Sequence, residues 1–161
     1  MNKMVATLGL AATLALPAMA FAPAAEARSV TLTTQLRPYG GNGAYLAIYL
    51  VDPQGRFHST LRVAGTKTKY HTHLSAWARG RAAEAARIDG ITGASVGSGR
   101  TLSVTVDIAD ALIDAGYQIR VDTAVEDGRD NPGEVTVPLT SAANHRPVSG
   151  RGYIASFKFD M

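Results

Sequence analysis

The chain has 161 residues, a formal net charge of +3 and no cysteine. The absence of cysteine excludes a disulfide framework, a thiol nucleophile, a thiolate metal site and c-type haem attachment. The modest net charge gives no reason to expect a nucleic-acid partner. Core burial must therefore hold the protein together, and its length suits one domain with a real hydrophobic core.

The N-terminus has the order of a secretory signal peptide. Lys3 is followed by an apolar run over residues 4–16 and then by small residues. Ala25-Glu26-Ala27 has the A-x-A form of a signal-peptidase cleavage site, and Ala18-Met19-Ala20 is a second candidate. This order predicts export and cleavage.

A transmembrane anchor is the alternative for this segment. It is the weaker one, because the apolar run is short for a bilayer and Pro17 interrupts it. We therefore expect a signal peptide over residues 1–27, a single mature domain over residues 28–161 and a periplasmic location for that domain.

Short β-like segments open the mature chain. Residues 29–36 alternate between apolar and polar side chains, and residues 44–51 form a β-rich apolar run that is typical of a central strand. Asp52-Pro53-Gln54-Gly55 places proline and glycine where a β-turn favours them. Residues 56–63 are therefore expected to return beside residues 44–51 as a hairpin.

The pattern then changes to helical spacing. Leu74, Trp77 and Ala78 lie near the start of an alanine- and arginine-rich segment, which predicts a helix over about residues 74–87. A glycine-rich loop follows over residues 90–99.

Four further strand candidates complete the chain. They cover residues 101–108, 117–125, 134–139 and 152–159. In the last of them, Tyr153, Phe157 and Phe159 are expected on one face, with Ile154 on the other. About seven short strands, one helical insertion before the glycine-rich loop and no βαβ alternation predict an all-β fold, an antiparallel immunoglobulin-like β-sandwich.

The glycine-rich loop carries the most specific motif of the chain. Its sequence Asp89-Gly90-Ile91-Thr92-Gly93-Ala94-Ser95 has the form D-x-x-[S/T]-G-A-[S/T]. This pattern resembles the acceptor site at which an FAD:protein FMN transferase joins FMN to a protein hydroxyl through a phosphodiester bond. The resemblance implies that Ser95 supplies the acceptor oxygen. An ordinary glycine loop between a helix and a strand is the alternative.

The other motif residues suit an acceptor loop. Gly93 and Ala94 have almost no side chain, so a modifying enzyme can close over the backbone. Asp89 and Thr92 can fix the loop through hydrogen bonds between their side chains and the backbone.

The resemblance extends beyond the motif. The order of a D-P-x-G turn, the segment Leu74-Ser75-Ala76-Trp77, the motif loop and the strand-like Tyr117-Gln118-Ile119-Arg120-Val121 looks like that of a family of small periplasmic β-sandwich proteins. That family was first catalogued as a domain of unknown function. It is associated with the FMN transferase and with membrane PepSY-type flavoreductases. The same acceptor pattern occurs, on a different fold, in the FMN-bearing subunits of the sodium-pumping NADH:quinone reductase.

The family resemblance implies an electron-transfer flavoprotein. Its cofactor would be covalent FMN, and its partners would be the transferase and a membrane flavoreductase or another redox protein. The protein would be a redox carrier and not itself an enzyme, because the flavin performs the chemistry and the protein places and tunes it.

Basic and aromatic side chains lie on both sides of the motif in the sequence. A phosphodiester carries one negative charge, which nearby cations can neutralise. The candidates are Lys67, Lys69, Arg79 and Arg100. Tyr70 and Trp77 could stack on the isoalloxazine ring, although core packing at helical spacing is the favoured alternative for Trp77.

Two other functions remain open from the residues alone. His71-x-His73 would place two imidazoles on one face of an extended segment, which suits copper or zinc. The protein could then be a metal-binding module. It could also be a cofactor-free periplasmic β-sandwich that binds another molecule, with the glycine-rich segment serving only as a loop.

Overall fold

The protein is described from a computed structural model, in which residues 26–82 and 91–161 are described. Residues 1–25 of the predicted signal peptide lie outside this part, as do the end of the predicted helix and the motif residues Asp89 and Gly90. The described part contains eight strands and one α-helix. They are β1 (Ala27–Leu36), β2 (Ala44–Val51), β3 (Phe57–Ala64), α1 (Ser75–Arg81), β4 (Thr92–Gly93), β5 (Thr101–Ala109), β6 (Gln118–Val125), β7 (Asp130–Pro138) and β8 (Ile154–Asp160).

The strands form two sheets. The smaller sheet has the order β5-β1-β8, and the larger has the order β4-β3-β2-β6-β7. All neighbours are antiparallel except β3 and β4, which are parallel. The predicted antiparallel β-sandwich is therefore confirmed, and so is the hairpin of β2 and β3, which turns at Asp52–Gly55 with a hydrogen bond from Gly55 N to Asp52 O of 2.8 Å.

The hydrophobic core between the sheets is built from alternate residues. Leu46, Ile48 and Leu50 of β2 pack there with residues of both sheets, including Phe157 and Phe159 of β8. Each of these five side chains is at most 1% exposed. Their burial removes apolar area from water and supplies the main stabilisation of a domain that has no disulfide.

A second apolar layer covers the outer face of the larger sheet. Tyr45, Ala47, Tyr49 and Val51 of β2 pack there against Leu74 and Trp77. A 3₁₀ helix (Thr68–His73) and α1 supply this layer. Both faces of β2 are thus covered, which explains why its sequence is a continuous apolar run and not an alternating one.

The expected alternation of β8 is wrong at its first residue. Ile154 is fully buried together with Phe157 and Phe159. The reason is a β-bulge in the pairing of β1 with β8, where Gln35 pairs with Ser156 but Leu36 pairs with Ile154. The extra residue in β8 rotates Ile154 onto the core face.

Among the helices of residues 26–82 and 91–161, none is both long and apolar enough to cross a membrane.

Candidate functional site

The chain on either side of Ser95 is held by the larger sheet. β4 runs parallel to the end of β3, with Thr92 beside Val63 and Gly93 beside Ala64. Three residues later Val96 forms an antiparallel bridge with Ala44, the first residue of β2. Residues 91–96, called here the motif segment, therefore cross from the outer edge of β3 to the start of β2.

Backbone hydrogen bonds fix both ends of the motif segment. Gly65 N donates to Gly93 O at 2.7 Å before Ser95. After it, Ala44 N donates to Val96 O at 2.7 Å and Val96 N donates to Ala44 O at 2.9 Å. Val96 is buried in the core, whereas Ser95 is exposed. The result is an accessible hydroxyl on a backbone that is fixed on both sides.

The absence of a side chain at Gly43 gives Ser95 its space. A Cβ atom at Gly43 would lie 2.7 Å from Ser95 Oγ and 3.1 Å from Ser95 Cβ. These separations are shorter than normal van der Waals contact, so any larger residue at position 43 would displace the Ser95 side chain. Nothing in the local sequence marks Gly43, because its partner lies about fifty residues away in the chain.

The loop after Ser95 is tied to the chain that precedes β2. Ser98 Oγ accepts hydrogen bonds from Tyr39 N and Gly40 N, each at 2.9 Å. Gly99 N donates to Arg37 O at 3.0 Å. Gly99 has a φ of 71°, a conformation that favours glycine. These bonds connect the loop after Ser95 to the chain before β2.

Arg62 of β3 packs against the motif segment. Its guanidinium occupies the space that a side chain at Gly93 would take, in close contact with that position. Arg62 Nε is buried and forms no hydrogen bond with the described residues. Nothing in the local sequence around Arg62 marks it as part of the site.

An aromatic cleft lies beside the start of β2. It has a volume of about 250 Å³ and is lined by Tyr45, Tyr70, His73 and residues 124–128. The Tyr45 and Tyr70 rings are 5.4 Å apart, centroid to centroid. Tyr45 directly follows Ala44, which bridges to Val96, so the cleft and Ser95 adjoin the same end of β2.

A second cleft of about 360 Å³ adjoins the first. It is lined by residues 39–42, Tyr153 and residues 125–128, and the last of these ranges also borders the first cleft. Residues 39–42 of this second cleft directly precede Gly43, the position that faces Ser95 Oγ.

Charged groups surround Tyr70. Its hydroxyl donates to Glu126, and Lys69 Nζ lies 4.7 Å from the centre of its ring. Lys67 Nζ lies 5.8 Å from the same ring. Interaction with the Tyr70 hydroxyl raises the pKa of Lys69 above its ordinary value, so this exposed amine remains a cation. The two lysines supply positive charge beside the Tyr70 ring.

Trp77 does not line either cleft. Its side chain is fully buried in the outer apolar layer, and its Nε1 donates to Thr60 Oγ1 at 2.9 Å. Core packing, the favoured alternative for this residue, is therefore confirmed. The proposed flavin stacking by Trp77 is wrong, because no face of its ring is open to a ligand.

Arg79 lies at the wrong end of the sheet for a role at Ser95. Its neighbour Gly80 packs against Phe57, the first residue of β3, whereas the motif segment crosses the last residues of β3. An eight-residue strand spans about 23 Å, which is far beyond the reach of an arginine side chain. Arg100, by contrast, directly follows the glycine-rich loop, with its Cγ beside Gly97.

The two histidines do not share one face. The expected extended segment is instead a 3₁₀ helix, which turns successive side chains apart. His71 is buried and its Nε2 hydrogen-bonds with Gly65 O at 2.7 Å, whereas exposed His73 lies 3.0 Å from Asp130. Among residues 26–82 and 91–161, no group of three or more histidine, aspartate or glutamate side chains could hold a metal ion.

Comparison with known families identifies most of the chain. Residues 27–156 match DUF2271, a family described as predicted periplasmic proteins. No curated protein and no solved structure matches the chain. The match includes β1 to β7, the motif segment and the first residues of β8. This chain therefore belongs to the DUF2271 family of predicted periplasmic proteins.

Proposed function

We propose that this protein is an exported electron-transfer protein that carries FMN on Ser95 through a phosphodiester bond. The observation that carries the proposal is the exposed Ser95 hydroxyl of the D-x-x-T-G-A-S motif, placed on a backbone that the sheet fixes on both sides. An acceptor must be reachable by a second protein, and Ser95 meets that requirement. The family description supports the periplasmic location but says nothing of a cofactor.

The attachment reaction balances with FAD as donor. Ser95 Oγ attacks the phosphorus of the FMN half of FAD, and the new Oγ–P bond replaces the bond to AMP. AMP leaves, and the hydroxyl proton passes to a base of the transferase. The chain itself supplies only the nucleophile and its presentation, so the protein is a substrate of the transferase in this step.

The residues around Ser95 suit a bound flavin. When attached, FMN supplies the capacity to accept and release electrons. The space opposite Gly43 leaves Ser95 Oγ free, and the adjoining cleft offers the partly buried ring of Tyr70 for stacking. Lys67 and Lys69 add positive charge beside that ring. The aromatic ring and the two cations thus lie near the end of β2 where Ala44 bridges to Val96, the residue after Ser95.

Electron transfer by a carrier requires one partner that donates electrons and another that accepts them. A membrane flavoreductase of the PepSY type, or another redox protein, would supply electrons, and a second protein would receive them. The exposed position of Ser95 suits such exchange, because a carrier must present its cofactor to successive partners. Recognition and orientation of the cofactor are then the tasks of this chain, not catalysis of a reaction of its own.

Intact mass measurement tests the proposal directly. The exported protein is produced with its cognate FMN transferase, and the Ser95→Ala variant is produced in the same way. We expect the wild type to carry one FMN adduct, visible also as yellow colour after denaturation, and the variant to carry none. Ser95→Thr should retain the adduct, because it keeps the hydroxyl. Ser103→Ala, which changes an exposed serine on β5, is the control and should be fully modified.

Stability measurements separate loss of the acceptor from loss of the fold. Ser95 is exposed and contributes little to packing, so Ser95→Ala should change the free energy of unfolding by no more than about 1 kcal/mol. Peptide mapping then locates the adduct. A wild type without an adduct would reject the flavin proposal and favour a cofactor-free binding module, and an adduct on Thr92 or Ser98 would move the attachment site.

A further inference from the structure

A partly buried cation lies against the motif segment without a charged partner. Arg62 belongs to β3, where it precedes Val63 and Ala64, the two residues that pair with β4. Its guanidinium fills the side-chain position of Gly93. Within residues 26–82 and 91–161, Arg62 forms no ion pair, and its buried Nε has no acceptor.

This arrangement is unusual for arginine. Buried cationic groups are normally paired, because an unpaired charge loses its hydration without compensation. The Nε donor of Arg62 is buried and has no hydrogen-bond partner. The guanidinium also occupies the space that a side chain would fill if position 93 were not glycine. Both features are accounted for if an anion is supplied from outside the chain.

We propose that Arg62 binds the phosphodiester formed at Ser95, an inference that rests on the proposed function. Gly93 and Ser95 are two residues apart, so their Cα atoms lie at most about 7 Å from each other. The phosphate extends further from Ser95 Oγ toward its surroundings. A guanidinium offers several N–H donors in a plane and can bind two phosphate oxygens at once.

Burial distinguishes Arg62 from the other cations near the motif. Lys67, Lys69 and Arg100 are exposed, so water and salt screen their attraction to an anion. The partly buried Arg62 is screened less and is already held in place by β3 and Gly93. Arg62 therefore serves as the phosphodiester-binding residue, whereas the exposed cations contribute a general positive field.

Thermal unfolding before and after modification tests this assignment. The purified mature protein and each variant are treated with the transferase and FAD, and intact mass confirms the extent of modification. We expect modification to raise the Tm of the wild type by about 3 °C or more, because the attached phosphate pairs with the partly buried guanidinium only when the chain is folded. Arg62→Gln should lose more than half of this increase, and Arg62→Lys should retain an intermediate part.

Two further variants and one spectrum complete the test. Arg146→Gln removes an exposed arginine from the loop before β8 and should keep the full Tm increase. Arg100→Gln tests the exposed candidate that follows the glycine-rich loop, and this variant should keep most of the Tm increase. The ³¹P resonance of the phosphodiester should move in Arg62→Gln relative to the wild type but not in Arg146→Gln.

The outcomes separate this inference from the proposed function. A wild type without an adduct rejects both. A modified wild type with no increase in Tm, or an equal increase and an unchanged ³¹P resonance in Arg62→Gln, rejects only the role of Arg62. An increase that is lost in Arg100→Gln and kept in Arg62→Gln assigns the phosphodiester to Arg100. If Arg62→Gln fails to fold, the comparison of Arg62→Lys with the wild type decides the matter.

Discussion

Replacement of Asp122 by asparagine tests how the larger sheet is joined to its helical layer. Asp122 is fully buried on β6 and accepts three hydrogen bonds. They come from Tyr49 Oη at 3.0 Å, Gly133 N at 2.7 Å and Trp77 N at 2.8 Å. Burial raises the pKa of Tyr49 and the Asp122 carboxylate raises it further, so the phenol stays a hydrogen-bond donor.

The cost of Asp122→Asn follows from the geometry. Asparagine has one oxygen acceptor where aspartate has two, so its amide group must face a backbone N–H donor. At least one hydrogen bond to a charged acceptor is lost, which is worth about 1.5–3 kcal/mol, and a buried N–H is left unsatisfied at about 1–3 kcal/mol. We expect the free energy of unfolding to fall by about 3 kcal/mol and Tm to fall by about 10 °C.

Urea unfolding measures this change conveniently. Trp77 is the only tryptophan of the chain and lies beside Asp122, so its fluorescence reports directly on the affected layer. Tyr49→Phe is the matched comparison, because it removes one donor and leaves the carboxylate with two; it should cost only about 1 kcal/mol. An Asp122→Asn protein within about 0.5 kcal/mol of the wild type would show that the carboxylate does not hold the layer in place.

Two further predictions concern the acceptor and the surface. Gly43→Ala should slow FMN attachment about tenfold, because the added Cβ displaces Ser95 Oγ. The control variant Asn42→Ala, on the same loop, should be modified at the wild-type rate. Equal rates for the two variants, measured by time-resolved intact mass, would contradict the steric role of Gly43. The hydrogen bond from Arg28 lowers the pKa of Asp110 below its ordinary value of 3.8. This pair therefore stabilises the fold above pH 3.8 and loses its effect as the pH falls through the lowered pKa, so stability curves of Asp110→Asn and wild type should converge at low pH and separate above it.

The sequence predicted the strand limits best where a side-chain pattern or a turn motif has a direct structural cause. Strands β1, β2 and β3 lie close to their expected limits, because alternation, an apolar run and a D-P-x-G turn each have a direct structural cause. Strand β8 was misjudged at Ile154, since a β-bulge depends on the partner strand and leaves no mark in the local sequence. Likewise, β4 has only two residues and exists because β3 lies beside it.

The candidate site was predictable only in part. The motif identified Ser95 as the acceptor candidate, but Gly43 and Arg62 reach the site through the fold from distant parts of the chain. Trp77 is close to the motif in the sequence, but its side chain is buried in the outer apolar layer. Its position in the sequence therefore did not predict a place at the site. Proximity in sequence predicts proximity in space within one turn or hairpin, but not across a sandwich whose contacts are mostly long-range.

The path of the motif segment has a consequence for how it can be recognised. Ser95 is presented only when Gly93 lies beside Ala64 and Val96 beside Ala44, and these partners are far apart in the sequence. A short peptide with the seven-residue motif sequence lacks Ala64 and Ala44, and so it does not reproduce this backbone geometry. An enzyme that recognises this segment in its folded geometry would therefore bind the folded sandwich and not the unfolded chain. Modification would then follow folding, and only folded chains would carry it.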